Sequence, residues 1–346
     1  MTTGSLSGID TIELRQHIME RPERTLRILD HVGSIANLPA APSISNIVIL
    51  GNGEAAMAGD MIVAVAGPFM SVPIMVHRGY ELPSFVGPDS LVIALSASGE
   101  TDETVEATEA AFEAGAFVFA VTGNGGYLAN LGETWQIPMV ILPADVHPRM
   151  ATSPLAVSAL LALEEIGFYP GGREWVREAA TALAKRRDEM NQETNIAATV
   201  AKIIGRTFPL IYGAGPVGTT AALRWKHQFN LSAKIPAFSN SIPDMCHNEI
   251  SGWGQHGDVT RQVFTRIDLR HDGEHPADQE RFLRVAEMTE EVVADIATVT
   301  AYGEGTLAQL LDLMFVGDLC AVTLALAEGV DPGPIPAVEA CRITVS

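Results

Sequence analysis

The stretch LVIALSASGETDET, residues 91–104, decides how this chain is read. Its first five residues are apolar, and the rest are small hydroxyls, acids and a glycine. An unbroken run of Leu, Val, Ile, Ala and Leu suits a parallel strand buried on both faces. Ser96, Ser98 and Gly99 then stand where the strand ends, and Thr101 stands where a helix begins. TDETVEATEAAFEAG follows, with Ala and Val at helical spacing, so a helix is expected over 102–115 with Thr101 or Ser98 as its cap. A helix start offers unpaired N–H groups and the positive end of a dipole. Three hydroxyls and a flexible glycine at that point make a phosphate cradle. The plainer reading is a strand-to-helix turn that uses Ser and Thr only as caps.

The same rhythm runs outward from this segment. Strands are expected at NIVIL (46–50), VPIMVHR (72–78), LVIALSA (91–97), AFVFAVTG (116–123) and WQIPMVILP (135–143). GNGEAAMAGDMIVAVAG reads as a glycine turn opening a helix, and another helix is expected at 151–167. Strand, helix, strand at this spacing means an α/β fold with a doubly wound parallel sheet. FYPGG (168–172) has linker character. Beyond it come a long helix at 173–204 and then FPLIYGAG (208–215), again a strand running into Gly-x-Gly. KIPAF (234–238), DVTRQVFTRI (258–267) and ATVTAYG (297–303) read as later strands, with helices at 276–295 and 305–328. Residues 9–38 read as one or two helices. The pattern divides the chain into an N-terminal helical segment (1–40), a first α/β domain (41–168) and a second (169–346). NIVILGNGEA and FPLIYGAGPV suggest an internal repeat.

Composition bounds the function. The 346 residues are 47% hydrophobic and 18% charged, ample for packed cores. A net charge of −20 excludes a nucleic-acid partner, which needs a basic face. It also makes any Arg, Lys or His beside a pocket informative, because an anionic ligand needs local positive charge. Cys246, Cys320 and Cys341 are far apart and match neither a disulfide framework nor a zinc site. No apolar run approaches the roughly 20 residues of a membrane span, and the N-terminus lacks a signal-peptide core. A soluble, cytoplasmic protein without membrane partners is expected. Neither Gly-x-Gly turn completes a dinucleotide fingerprint: GNGEAA lacks the third glycine, and GAGPVG has Pro in the turn.

A larger pattern is specific. GNGEAAMAGDM, SASGETDET, HPRMATSP, LRWKHQFNLSAKIPAF, CHNEISGW and LCAVTLALAEGVDPGPIPAVE occur in this order. Over residues 45–342 the chain resembles the sugar isomerase (SIS) domain superfamily, and within it the bifunctional phosphoglucose/phosphomannose isomerase family. The resemblance implies two SIS domains with five-stranded parallel sheets, and a homodimer with active sites at the subunit interface. It implies a phosphosugar ligand and neither cofactor nor metal. The family reaction interconverts glucose 6-phosphate or mannose 6-phosphate with fructose 6-phosphate. A proton must move between C1 and C2 through an enediol, and a polar group must stabilise the oxyanion. The phosphate serves as a remote handle that fixes geometry.

Carried over residue by residue, the resemblance assigns Ser96, Ser98 and Thr101 to the phosphate and Gly51 and Gly53 to the first glycine turn. There the family places a glycine and then a serine, and this chain has Glu54 and Ala55. Glu54 either turns to solvent or repels a phosphate. His247 matches the histidine that opens the sugar ring from the partner subunit, since an imidazole can pass a proton near neutral pH. Its plainer reading is a buried histidine tied to a carbonyl. Arg149 matches the arginine over the enediolate oxygen; its plainer reading is a surface salt bridge. Arg342 takes the place of a C-terminal lysine, and the two are not interchangeable if a proton must pass. Leu231 stands in Asn230-Leu231-Ser232-Ala233-Lys234, where the family carries its glutamate base. Leucine abstracts no proton. His227, Glu249 and Glu54 are the candidate replacements, although Glu249 reads better as a local pairing group and Lys226-His227 as a solvent-facing helix turn. The expectation is an aldose–ketose isomerase with an altered base. The alternatives are a non-catalytic sugar-phosphate sensor, or an SIS enzyme acting on an amino sugar or a phosphate-free substrate.

Overall fold

The computed structural model describes residues 8–341. Arg342 lies outside them. Two compact units divide the chain: residues 21–182 with 304–308, and residues 8–20 with 183–303 and 309–341. They are termed here the N-terminal and C-terminal units. The sequence reading put divisions at 40 and 168; the compact units divide at 20 and 182.

After the short α1 (Leu14–Met19), which groups with the C-terminal unit, α2 (Arg21–His31) opens the N-terminal unit. The elements then alternate as β1 (Asn46–Leu50), α3 (Glu54–Ala66), β2 (Ile74–His77), β3 (Ser90–Ser96), α4 (Asp102–Glu113), β4 (Phe117–Thr122), α5 (Tyr127–Trp135), β5 (Met139–Ile141) and α6 (Thr152–Ile166). The sheet is wholly parallel, in the order β2-β1-β3-β4-β5. β3 is buried along its whole length, as an unalternating apolar strand between two helical layers must be. Its α4 side is filled by Val48, Leu50, Val92, Ala107, Ala111 and Val118. On the other side Gly59 of α3 lies against Val76 and Ile49; a Cβ there would stand 3.0 Å from Val76. Such contact holds α3 close to β1 and fixes where its first turn sits.

α7 (Gly172–Met190) carries the chain into the C-terminal unit. α8 (Ile196–Ile204) follows as a separate helix, so the single helix expected over 173–204 is broken. The break is at Asn195, whose side chain accepts from Ala198 N at 2.9 Å and caps a fresh start. Next come β6 (Phe208–Ala214), α9 (Gly215–Gln228), β7 (Phe238–Ile242), α10 (Gly257–Val263), β8 (Phe264–Arg270), α11 (Pro276–Thr289), β9 (Asp295–Thr300), α12 (Thr306–Ala327) and α13 (Pro336–Ala340). β7 begins where 234–238 was expected to end, and 258–263 is helix rather than strand. This sheet is also parallel, ordered β7-β6-β8-β9. It has four strands, not the five that the resemblance implied: β9 leads straight to α12, where the first unit inserts α5 and β5.

α12 also corrects the expectation that no apolar run is long enough to span a bilayer. An 18-residue window of this 22-residue helix reaches a mean hydropathy of 2.0, yet 89% of that window is buried within the fold. Asp318 on it pairs with Arg224 of α9 at 2.8 and 3.0 Å, and Asp312 with Arg186 of α7 at 2.8 and 3.0 Å. Buried carboxylates of this kind are tolerated only with such partners. α12 is a core helix.

Candidate functional site

In a doubly wound sheet, ligands bind outside the carboxyl ends of the strands where the winding reverses. In the N-terminal unit that place lies between β1 and β3, which are direct neighbours with Leu50 opposite Ala94. The turn after β1 is Gly51-Asn52-Gly53, and the turn after β3 is the SASGET segment. The sequence therefore brings both candidate turns to one crevice.

The SASGET turn is built from its own hydroxyls. Ser96 is 1% exposed, and its Oγ accepts from Gly99 N at 3.1 Å and lies 3.3 Å from the Thr101 hydroxyl. Ser96 therefore shapes the turn from within. Ser98 is exposed, and its Oγ accepts from Glu100 N at 3.2 Å, which leaves its own proton to donate. Gly99 has φ +70°, and a Cβ there would stand 2.9 Å from Gly126 Cα and 3.0 Å from the Thr122 hydroxyl. Only glycine meets both demands. Behind the turn, Leu128 N donates to Gly99 O and Tyr127 N to Glu100 Oε1, each at 3.0 Å.

Thr101 is the N-cap of α4 but makes no side-chain cap bond, contrary to one expectation for it. Thr104 and Val105 close the first turn on Thr101 O at 3.0 and 2.9 Å. The N–H groups of Thr101, Asp102 and Glu103 have no partner among the described residues. Such a helix start is an anion seat. Asp102 and Glu103 stand on that first turn, so positive dipole and negative side chains compete for whatever binds there.

The first glycine turn is different. Gly53 has φ +57° and open space around it, and Gly51 is packed against Ala55. Glu54 opens α3, and its Oε2 accepts from the Thr152 hydroxyl at the start of α6. Thr152 Oγ1 also lies 3.3 Å from Glu54 O. Further along α3, Asp60 is 2.5 Å from Arg78; burial raises its carboxyl pKa and the Arg78 bond opposes the rise.

Arg149 sits on a 3-10 turn (Pro148–Met150) capped by His147, whose Nδ1 accepts from Arg149 N at 3.2 Å. Arg149 is 6% exposed, which rules out the surface salt bridge.

The remaining candidates belong to the C-terminal unit. His247 ends a 3-10 turn (Asp244–His247) and is exposed, with no side-chain hydrogen bond among the described residues, so it is not a histidine tied to a carbonyl. Glu249 is committed locally: it accepts from the Tyr212 hydroxyl and from Asn240 Nδ2, the latter at 2.7 Å. Burial, and then the charge of Glu249, push the Tyr212 phenol up. Leu231 lies on a π-helical turn (Phe229–Ala233) at the end of α9, a distortion frequent at functional sites. Its carbonyl accepts from Lys234 Nζ at 2.5 Å. Lys226 and His227 are half-buried, so their turn is not the solvent-facing one expected.

Sequence reasoning missed Thr122, Thr104 and His77. Thr122 Oγ1, Thr104 Oγ1 and His77 Nε2 are buried without a partner. Thr122 ends β4 opposite Ser96, His77 ends β2 opposite Leu50, and Thr104 is in the first turn of α4. Orphaned polar atoms are rare in folded proteins; Thr122 and His77 end their strands at the carboxyl edge of the sheet, and Thr104 lies in the first turn of the helix that follows β3. Only the register of the strands brings them there.

Comparison with known proteins gives concordant findings. Residues 193–344 match the model of the bacterial phospho-glucose isomerase C-terminal SIS domain. A bifunctional phosphoglucose/phosphomannose isomerase of Thermoplasma acidophilum is 30% identical over 334 residues, covering 96% of this chain and 100% of the relative. One from Caldicellulosiruptor bescii is 26% identical, covering 94% and 96%. Among solved structures, tagatose-6-phosphate ketose/aldose isomerase of Escherichia coli superposes with a TM-score of 0.70 at 17% identity, over 92% of this chain and 94% of that one. At that identity the superposition speaks for the fold alone.

Proposed function

The chain belongs to the bifunctional phosphoglucose/phosphomannose isomerase family, and from that premise we propose that it binds a hexose 6-phosphate at the crevice between β1 and β3 and acts on it as an aldose–ketose isomerase. One observation carries the reading: the start of α4 presents three unpartnered N–H groups beside the exposed Ser98 hydroxyl, at the point where the winding of the sheet reverses. In this reading Ser98 and the N–H groups hold the phosphate, and Ser96 and Thr101 keep the turn in shape. Gly51 and Gly53 let the chain pass close to the ligand. Arg149 faces the enediolate oxygen with its positive charge. His247, supplied by the second copy of a homodimer, takes and returns the ring-opening proton. The proton that leaves C2 of the open-chain aldose returns to C1, so the reaction needs no oxidant or reductant. A cytoplasmic location completes the proposal; its support is three widely separated cysteines.

A second reading is favoured by a specific pair of observations. By the sequence resemblance Leu231 falls where the family carries its glutamate base, and Glu249 is held by Tyr212 and Asn240. Without a positioned base, a rate falls by about 10²- to 10⁴-fold. A protein that binds the sugar phosphate without turning it over fits the same crevice. A coupled assay on glucose 6-phosphate and mannose 6-phosphate, run beside thermal-shift titration with both sugars, separates the two. Turnover supports the isomerase. Stabilisation without turnover supports the sensor. Neither response removes both.

A further inference from the structure

Glu100 is an acid within a turn read as an anion cradle, SASGET. On charge alone it should weaken whatever the turn holds. The structure gives it another task. Its Oε1 accepts from Tyr127 N at 3.0 Å, and Tyr127 is the first residue of α5. One residue earlier in the turn, Gly99 O accepts from Leu128 N, also at 3.0 Å. Gly126, the N-cap of α5, has no side chain with which to cap it, so Glu100 supplies an acceptor that this helix start lacks. The two segments meet backbone to backbone. A Cβ on Gly126 would stand 2.4 Å from Ser98 O and 2.8 Å from Gly99 Cα, and one on Gly123 would stand 2.4 Å from Ala97 O. The Tyr127 hydroxyl donates to Glu109 of α4 at 3.2 Å. The start of α5 thus touches both the turn and the helix that follows it.

We propose that Glu100 is a positioning residue: bonded to the start of α5, its carboxylate braces the SASGET turn so that the Ser98 hydroxyl and the first amides of α4 meet a phosphate together. The inference rests on the phosphate reading of the cradle. Gly99 is the pivot of the turn, at φ +70°. The two bonds from α5 fall on that pivot and on the residue after it. A turn fixed before binding avoids the ordering cost that a loose one meets when the ligand arrives. Two effects of the carboxylate therefore oppose each other. Repulsion predicts tighter anion binding once it is removed, and bracing predicts weaker binding. Glu100 is exposed, so water and salt screen its charge, and the positive end of α5 offsets what remains. Repulsion between such exposed charges is small, and bracing wins.

The test is calorimetric titration of the full chain with glucose 6-phosphate and inorganic phosphate, with melting temperatures measured alongside. Glu100→Ala should weaken both ligands by about ten-fold, the size of one hydrogen bond. Glu100→Gln keeps an oxygen for Tyr127 N and drops the charge, so it should bind within about three-fold of the wild type. Tyr127→Pro breaks the same bond from its other end. Proline suits the first position of a helix, and Gly126 at φ −76°, ψ 166° suits the residue before a proline. This variant should weaken binding about as much as Glu100→Ala. Tyr127→Ala keeps the N–H and should bind like the wild type. Unchanged or tighter binding by Glu100→Ala overturns the proposal. So does a Glu100→Gln variant as weak as Glu100→Ala, or a Tyr127→Ala variant as weak as Tyr127→Pro. An affinity loss that follows melting temperature across the four variants, instead of following the bond, overturns it too. Failure of the wild type to bind either ligand removes the cradle reading itself, and the brace with it.

Discussion

NIVILGNGEA at 46–55 and FPLIYGAGPV at 208–217 each carry a strand into a glycine turn and a helix, and in both units the neighbouring strand completes a crevice where the winding reverses. In the N-terminal unit that neighbour ends in Ser-Ala-Ser-Gly, and amide groups are left over. In the C-terminal unit it ends in Arg270-His271-Asp272-Gly273, and protein uses up the donors and acceptors. His271, 6% exposed, places Nε2 2.9 Å from Ala214 O. Its own N–H and the Arg270 guanidinium both donate to Glu274. Gln309 accepts from Asp272 N and donates to Asp272 Oδ2 and Gly303 O. Pro216 removes an N–H from the first turn of α9. Gly213 packs so closely on Gly218 that a Cβ would stand 2.0 Å from its carbonyl oxygen. The same local grammar thus yields one turn that keeps an exposed hydroxyl beside the helix start and one whose following loop is tied up by buried side chains. What differs is the chemistry of the residue that follows the adjacent strand.

The largest expected effect tests the structural role of the C-terminal unit. Arg224→Ala strands Asp318, 0% exposed at its side chain, without its guanidinium partner. It should cost about 3–5 kcal/mol, seen as a large drop in melting temperature. A drop of only a degree or two would mean that the pair is not what secures α9 to α12. Next comes Leu231→Glu. If the base is the only missing catalytic part, isomerase activity should rise by at least about 10²-fold over the parent chain. No rise would show that the side chain at position 231 alone does not limit turnover in this chain.

Smaller effects probe the crevices directly. His271→Ala leaves Ala214 O buried and unpaired, at a cost of about 1–3 kcal/mol in stability. Glucose 6-phosphate affinity should stay unchanged. A loss of ligand affinity there would break the contrast between open and closed crevices. Ser98→Ala should do the reverse, weakening glucose 6-phosphate by about ten-fold with no change in melting temperature. An unchanged dissociation constant would take Ser98 out of the site.

The strand–helix rhythm was legible because buried parallel strands are continuously apolar and helices carry their own period. NIVIL and LVIALSA fell within a residue of β1 and β3 for that reason. β7 and β8 slid because KIPAF and DVTRQV carry apolar residues in patterns that suit strand and turn alike, and only pairing with β6 chose the register. α5 went unseen because YLANLGETW is short and follows a glycine run. Among the candidate site residues, the turn at Ser98, Gly99 and Thr101 was readable as a turn, since small hydroxyls and a glycine after an apolar run end a buried strand. Thr122, Thr104 and His77 were not, because nothing in the chain near them says which strand they will stand beside.

The sequence by itself determined that two parallel sheets form, and that each ends a strand in a glycine turn before a helix. Hydrophobic runs and turn residues act locally, over one or two elements. Only the tertiary structure decided that Thr152 reaches Glu54 across 98 positions, that Glu249 is held by Tyr212, and that His271 closes the second crevice. Those contacts depend on strand order and helix packing, which are set by how whole elements bury one another.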